Sequence, residues 1–419
     1  MKTRDIAHIT IEADTPLKVG SNASDFLQDS PIQKDWNGLP MILGTSIAGV
    51  LRKDFQGDVK DIFGEECGSK VIFSNALLLN EKGEVYEELL LEKTPFLKLF
   101  DNLLIREHTA ITDKGVALEH SKFDEEILYK GTRFKFSIEM IEDDKESFDE
   151  VLNLLQSSSF RLGGGSTKGF GKFKVIKIKT QSYTIDTYEN YSSSLNHHLS
   201  TVHKIEEIDD KNYTKYTLKI KPDDFFMFGS GFGDSDADNT PIYEQVIDYD
   251  NVKLTNKQIL IPASSIKGAL SHRTTYHYNL QNRLYIGDEN AKSTIKELFG
   301  EAKNSKKDID GSKGKILISD YFKPDKKEVK TFDHVAIDRF TGGAIDGALF
   351  QEKTIAQKDE WEIEILLENK GVEDEYIKAF ESSLKDICNG MLPLGGMTTK
   401  GHGVFVGDLF IDGVKYEKR

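Results

Sequence analysis

Apolar and polar positions along this chain follow two periods, and the order in which the periods occur repeats once. Near the N-terminus Ile6-Ala-His-Ile-Thr-Ile11 alternates loosely and predicts a strand. A polar loop, Gly20 to Asp25, continues through Gln28-Asp29-Ser30-Pro31 to Leu39-Pro-Met-Ile-Leu-Gly44. From Thr45 the spacing turns helical: Ile47, Val50, Leu51 and Phe55 share a face, Arg52 and Lys53 lie on another, and Ser46 reads as the N-cap. Strands are predicted over Val71–Leu79 and Thr132–Met140, separated by an irregular stretch that contains His108-Thr-Ala-Ile-Thr-Asp-Lys-Gly115. A helix over 148–157 leads into Gly163-Gly-Gly-Ser-Thr-Lys-Gly-Phe-Gly171, and the strand 172–179 follows it.

After a stretch with little periodicity the same order returns. Strand 216–221, a polar loop at 229–238, a helix opening at Pro262-Ala-Ser-Ser-Ile-Lys-Gly268, strand 315–319, strand 360–368 and helix 374–388 lead to Gly395-Gly-Met-Thr-Thr-Lys-Gly-His-Gly403. The two glycine blocks agree at six of nine positions. Ser46 matches Ser265, Gly64 matches Gly300, His108 matches His334 and Lys168 matches Lys400, always in the same order. That is a duplicated domain, with a first copy at 1–180, a connector at 181–212 and a second copy at 213–419. Each copy reads β, loop, α, β, insertion, β, α, glycine loop, β. This is the βαββαβ order of an α+β, ferredoxin-like (RRM-like) domain with an insertion. Such a fold names no function by itself.

The glycine loops are not nucleotide-cofactor motifs. Thr167 precedes Lys168 and a glycine follows it, against the G-K-[ST] order of a P-loop. A helix precedes the loop and a strand follows it, the reverse of a dinucleotide fingerprint. What remains is a loop whose glycines permit close backbone approach and whose lysine carries a charge suited to phosphate.

Composition narrows the setting. The net charge of −15 argues against a free-standing nucleic-acid binder and leaves room for one basic groove on a subunit of a larger assembly. Two cysteines, Cys67 and Cys388, give neither a disulfide framework nor a zinc site. No apolar run is long enough for a membrane span and no signal-peptide core is visible, so a cytoplasmic location without membrane partners is expected. His197-His198 in the connector lacks a second ligand pair and reads as solvated loop.

Taken together, Pro-x-x-Ser-Ile-Lys-Gly opening a helix, Leu298-Phe-Gly300 closing that region and the late Gly-Gly-x-x-Thr-Lys-Gly-x-Gly loop resemble the RAMP superfamily. More narrowly, both copies are similar to the Cas-seven-type backbone subunits of type III CRISPR effector complexes, and His334–Phe350 is similar to their thumb hairpin. The resemblance implies a thumb-like insertion in each copy and an antiviral-defence role. The partners would be guide CRISPR RNA, single-stranded target RNA and other type III subunits, with base pairing carrying sequence specificity. It implies RNA contacts at Ser46, Arg52, Lys53, Gly164, Lys168 and Gly169 in the first copy. In the second it implies contacts at Ser265, Lys267, Arg273, Arg339, Gly396, Lys400 and Gly401. Ala48 stands where the second copy has Lys267, a departure that Arg52 and Lys53 are placed to compensate.

The resemblance also implies metal-dependent target cleavage, by an aspartate in the loop after the first strand. Gln28-Asp29-Ser30-Pro31 supplies that context, so Asp29 is the leading catalytic residue and the ligand for Mg²⁺ or Mn²⁺. In the second copy Asn239 aligns with it, while Asp236 and Asp238 offer a shifted site. A calcium-loop reading of Asp234-x-Asp236-x-Asp238 fails, because Asn239 replaces the glycine and Gln245 the glutamate. The leading reading is an endoribonuclease backbone subunit. The alternatives are a non-catalytic guide-binding scaffold and a guide-processing ribonuclease, for which His8 is the early histidine.

Overall fold

The computed structural model describes residues 3–20, 31–65, 68–112, 116–142, 144–285, 295–301 and 311–416. Its architecture is mixed α/β, with two main antiparallel sheets, each carrying helices against one face, and several smaller two- and three-stranded ones. In the first half the central strand β1 (Arg4–Ala13) alternates because its odd-numbered apolar residues pack inward. Ile9 lies between Phe136 of one neighbouring strand and Ile178 of the other. Helix α1 (Gly44–Asp54) buries Ile47 and Leu51. The predicted strand at 71–79 breaks at Ser74-Asn75 into β2 (Val71–Phe73) and β3 (Ala76–Leu78). A hairpin of β4 (Leu104–His108) and β5 (Phe123–Ile127) precedes β6 (Arg133–Ile141). Helix α2 (Lys145–Leu155) and β7 (Phe173–Tyr183) complete the half. The sheet order is β3-β6-β1-β7, with a short strand at each edge and β2 pairing with β6.

Ser46 is not the N-cap of α1. The helix begins two residues earlier, capped at Leu43, and the Gly44 amide donates to Asn75 Oδ1 at 2.9 Å. A side chain from the break between β2 and β3 therefore satisfies the helix start, which local spacing could not reveal. Arg52 and Lys53 fall in the last turn of α1, favourable for the helix dipole and about one turn beyond Ala48.

The second half repeats the plan with β8 (Tyr213–Pro222), α3 (Ala263–Gln281), β9 (Ile316–Ile318), β10 (Tyr321–Pro324) and the hairpin β11 (Val329–His334)/β12 (Phe350–Ile355). It ends with β13 (Trp361–Glu368), α4 (Asp374–Cys388) and β14 (Phe405–Ile411). The sheet order β9-β13-β8-β14 mirrors the first half. Helix α4 turns Phe380, Leu384 and Ile387 onto Tyr216 and Trp361 in the second core.

Residues 181–212 lie against the first half. Thr201–His203 pairs with β7, Leu195 joins the first core, and Tyr183, Tyr191 and Leu199 pack around Ile6. His198 Nε2 sits 2.9 Å from Lys179 Nζ.

Candidate RNA interface at the joint between the halves

Each glycine loop is built around a carbonyl five residues beyond the end of the first strand of its half, Lys18 O after Ala13 and Met227 O after Pro222. Gly163 (φ 84°) and Gly395 (φ 93°) pass so close to the chain that a Cβ would stand 2.3 Å from Lys18 O and 2.4 Å from Met227 O. Gly164 N donates to Lys18 O at 2.8 Å and Gly396 N to Met227 O at 2.7 Å. The amides of Lys168 and Phe170 both donate to Gly165 O, and that of Gly171 donates to Pro16 O. The glycines thus serve backbone packing, and these amides are spent inside the protein. Those four amides are therefore not offered to an anion.

The first loop does not stand alone. Gly169 packs on the second half, where Asp320 N donates to Gly169 O at 3.3 Å, and a Cβ on Gly169 would meet Asp320 Oδ1 at 2.1 Å. Thr167 Oγ1 accepts from Lys267 Nζ at 3.1 Å. Lys168 Nζ lies 5.2 Å from the centre of the Phe123 ring. Lys267 is held well below its ordinary value, at about 8, first by burial and then by repulsion from Lys168. Two lysines, one from each half, thereby converge near the start of α3.

Arg106 of β4 locks this arrangement. Its Nε and Nη2 donate to the two oxygens of Glu244 at 2.8 and 2.6 Å, and Nη1 donates to Asp320 Oδ2. Asp320 Oδ1 meanwhile accepts from Ala263 N at 2.8 Å, capping α3. Burial works against the Arg106 charge, and Asp320 and Glu244 more than offset it, so the guanidinium stays charged. From the other direction Ile247 and Tyr249 of the second half enter the first core, and Tyr249 Oη donates to Leu79 O at 3.1 Å.

A second histidine–glutamate cluster occurs at each hairpin base. His108 stacks on Phe123 and lies 3.3 Å from Glu125, which Lys18 pairs at 2.6 Å. Burial alone would raise the Glu125 carboxyl, but hydrogen bonds from His108 and Lys18 bring it down to about 2. His334 stacks on Phe350 in the same way and lies 3.4 Å from the fully buried Glu352; His402 is 3.8 Å and Lys400 4.0 Å from that carboxylate. Sequence reasoning missed both glutamates. The shared Phe-x-Glu after each thumb, Phe123-Asp-Glu125 and Phe350-Gln-Glu352, is the signal that marks them.

Several candidates lie elsewhere. Ser46 is exposed on the first turn of α1, and Arg52 and Lys53 are exposed at its end. Arg273 pairs with Asp386 of α4, which also meets His277 at 2.7 Å. Arg339 is exposed at the tip of the second hairpin beside Phe340, which is 100% exposed. Gly401 (φ 90°) and Lys400 are exposed on the second loop, with Lys400 Nζ 4.4 Å from the Phe350 ring centre. His8 is buried in β1, its imidazole pushed down to about 4 by burial and then by Lys135, which removes it as a proton-transfer group.

Asp29 lies outside the described residues. The isolated bridges at the ends of its loop give a second alignment beside the one made from sequence. Gly20 bridges Ile32 and Gly229 bridges Pro241, so both connections have equal length. Position 29, ninth after Gly20, then corresponds to Asp238, ninth after Gly229, and not to Asn239. Asp238 is exposed; its amide donates to Gln351 O and its Oδ2 accepts from Gln351 N at 2.7 Å. Asp234 and Asp236 both grip Lys353 Nζ, at 2.6 and 3.2 Å. That ammonium offsets the charge of the exposed pair. Among the described residues no three His, Cys, Asp or Glu side chains form a metal-ligand set.

The family model of the RAMP superfamily matches residues 10–174 and 245–406. The chain belongs to the RAMP superfamily. The two matched regions fall on the two structural halves, so this is a tandem, two-repeat RAMP protein, a superfamily that includes CRISPR-associated subunits. No curated protein matches the chain. No helix among the described residues of this RAMP protein is long and apolar enough to cross a membrane.

Proposed function

We propose that this RAMP protein is a backbone subunit of a type III CRISPR effector complex, two Cas-seven-type units fused, which holds guide RNA and cuts paired target RNA. The observation that carries the binding reading is the joint, where Lys168 and Lys267 from different halves converge beside Thr167. Two converging lysines suit a phosphodiester backbone, whose contacts position without reading sequence. The sheet order β9-β13-β8-β14, with its first-half counterpart, supports reading each half as ferredoxin-like. The hairpins support the thumb assignment. Ile111, Val116 and Leu118 in the first, and Ile337, Phe340 and Leu349 in the second, are exposed apolar side chains suited to lie against stacked bases.

Cleavage is the further part of the proposal. Counted along the sequence from the bridges at Gly20 and Gly229, Asp29 and Asp238 are equivalent, so we assign one cleavage position to each half, with a divalent ion at Asp29 as its cofactor. The ion supplies charge at the scissile phosphate when bound. Asp236 is the lesser candidate of the second half, since Lys353 pairs with it. The scaffold reading remains the competing outcome. The experiment is target cleavage by complexes carrying Asp29→Ala, Asp238→Ala or both. Each single variant is expected to remove its own set of product bands. Unchanged bands in the double variant make the protein a scaffold.

A further inference from the structure

The face of the first sheet that its helices leave open carries a charge pattern that the second half does not share. On β1 the even-numbered residues lie on that face, opposite the inward Ile9 and Ile11. Thr10 is flanked across the strands by Lys135 of β6 and Lys177 of β7, and His8 by Ser137 and Lys179. Three lysines thus stand in two neighbouring rows. Like charges so placed destabilise a sheet, and a face built for stability alone would mix their signs.

The second half does mix them. Thr10 stands seven residues before Leu17, which bridges Leu128, and Lys219 stands seven before Phe226, which bridges Ile355. At this matching place Lys219 is flanked by Glu362 of β13 and Asp408 of β14, and its Nζ lies 3.7 Å from Glu362. Lys215 pairs with Glu364 at 2.8 Å on the same face. One row reads acid, lysine, acid; the other reads lysine, threonine, lysine.

The first-half lysines are left over. Lys135 is half-buried, and its ammonium is pushed down first by that burial and then by Lys177. Among the described residues neither Lys135 nor Lys177 has an ion pair or a hydrogen bond, and Lys179 meets only His198 Nε2, at 2.9 Å. Glu87 and Glu84 act on Lys135 from beyond ion-pair distance, and Glu87 already accepts from Ser194 Oγ at 2.5 Å and Leu195 N at 2.8 Å. With 70 acidic residues against 55 basic ones the chain has carboxylates in excess, yet none pairs here.

His8 points the same way. It is 4% exposed, its Nε2 is buried without a hydrogen-bond partner, and Lys135 is the foremost charge acting on it. A buried polar atom without a partner marks a place for a water or a ligand. Burial keeps the imidazole neutral at pH 7, so Nε2 is available as an acceptor. The lysines call for an anion of more than one charge, and His8 for a ligand with a proton to share. A phosphate monoester has both, since its second proton leaves near pH 6. A phosphodiester has one charge and no such proton, and sulfate has none either.

We propose that the open face of the first sheet binds a phosphate monoester through Lys135, Lys177, Lys179 and His8, the monoester being that of a nucleotide or of a phosphorylated sugar. The site shares no residue with the joint and does not rest on the RNA reading. Titration calorimetry of the RNA-free, full-length protein at about pH 6 to 7 tests it. The ligands are methyl phosphate, a nucleoside 5′-monophosphate, glucose 6-phosphate, dimethyl phosphate and sulfate. The monoesters are expected to bind at least about tenfold more tightly than dimethyl phosphate or sulfate. A lead for the nucleotide over glucose 6-phosphate identifies the carrier as a nucleotide, and the reverse order as a sugar. Lys135→Met is expected to lose at least about tenfold in affinity for methyl phosphate. Lys177→Glu gives Lys135 the acidic neighbour used in the second half, and is expected to lose as much while melting no lower than wild type. His8→Phe is expected to narrow the preference for methyl phosphate over sulfate. Sulfate binding as tight as methyl phosphate, affinity unchanged in Lys177→Glu, or no binding at millimolar methyl phosphate overturns the proposal. Loss of RNA binding in Lys177→Glu would make the row an RNA contact and overturn the monoester assignment as well.

Discussion

The joint's ionic lock gives the sharpest single perturbation. Arg106→Met keeps much of the side-chain volume and removes the charge. The side chains of Arg106, Glu244 and Asp320 are 3%, 7% and 0% exposed, so water cannot replace the lost guanidinium. Breaking a buried pair by deleting one partner costs about 3–5 kcal/mol, chiefly for the carboxylate left behind. Here two carboxylates are left, and Asp320 also caps α3, so the upper part of that range is expected. Adding Glu244→Gln and Asp320→Asn removes the stranded charges, keeps an acceptor for Ala263 N, and is expected to recover most of the loss. The protein has one tryptophan in each half, Trp36 and Trp361, and denaturant unfolding followed by their fluorescence is the assay. A change below about 1 kcal/mol for Arg106→Met would mean that the lock does not hold the halves, and the reasoning would fail.

Three further outcomes follow from other parts of the site. The fall of Lys267 from 10.5 to about 8 amounts to roughly 3 kcal/mol against its charged form, a cost to the RNA-free fold below pH 8 that fades as pH rises. A phosphate relieves it, so RNA binding should take up protons near pH 8 to 9 and weaken as pH rises. Titration calorimetry in buffers of different ionisation enthalpy reads this, and equal uptake in Lys267→Met would refute the assignment. Gly169→Ala adds a Cβ 2.1 Å from Asp320 Oδ1 at a φ of 114°, for an expected loss of about 2–4 kcal/mol in denaturant unfolding. Gly401→Ala, with open space around it, costs about 1 kcal/mol, and similar losses at both would contradict the joint's asymmetry. Lys18→Met strands Glu125, whose carboxyl then loses the contact that helps hold it near 2. Stability should drop above about pH 5, where the carboxylate charge is present, and acid should narrow the gap to wild type; an equal gap at all pH values counts against it.

The duplicated order of elements was legible because it is written in local spacing. The alternation of β1 and β8, the apolar stripe of α4 and the matched glycine blocks each need only a few consecutive residues. What sequence alone concealed depends on contacts between distant positions. Ser46 looked like a cap because nothing local announces that Asn75 accepts from Gly44 N. Nothing local announces that the amides of Gly164 and Gly171 bond to Lys18 and Pro16, carbonyls reached only in the folded chain. Lys168 and Lys267 were read as contacts of separate domains, whereas the joint brings them to Thr167 together. Asn239 was aligned with Asp29 by a Thr-Pro spelling, and the bridges at Gly20 and Gly229 move the match to Asp238.

The binding claim rests most directly on what the protein carries from its own cell. Small RNA co-purifying with natively expressed wild-type protein, quantified and sequenced, should share a common repeat-derived segment. A Lys168→Glu, Lys267→Glu form that still folds should lose at least about tenfold of it. Wild-type protein free of RNA, or equal RNA on the double variant, would contradict the account.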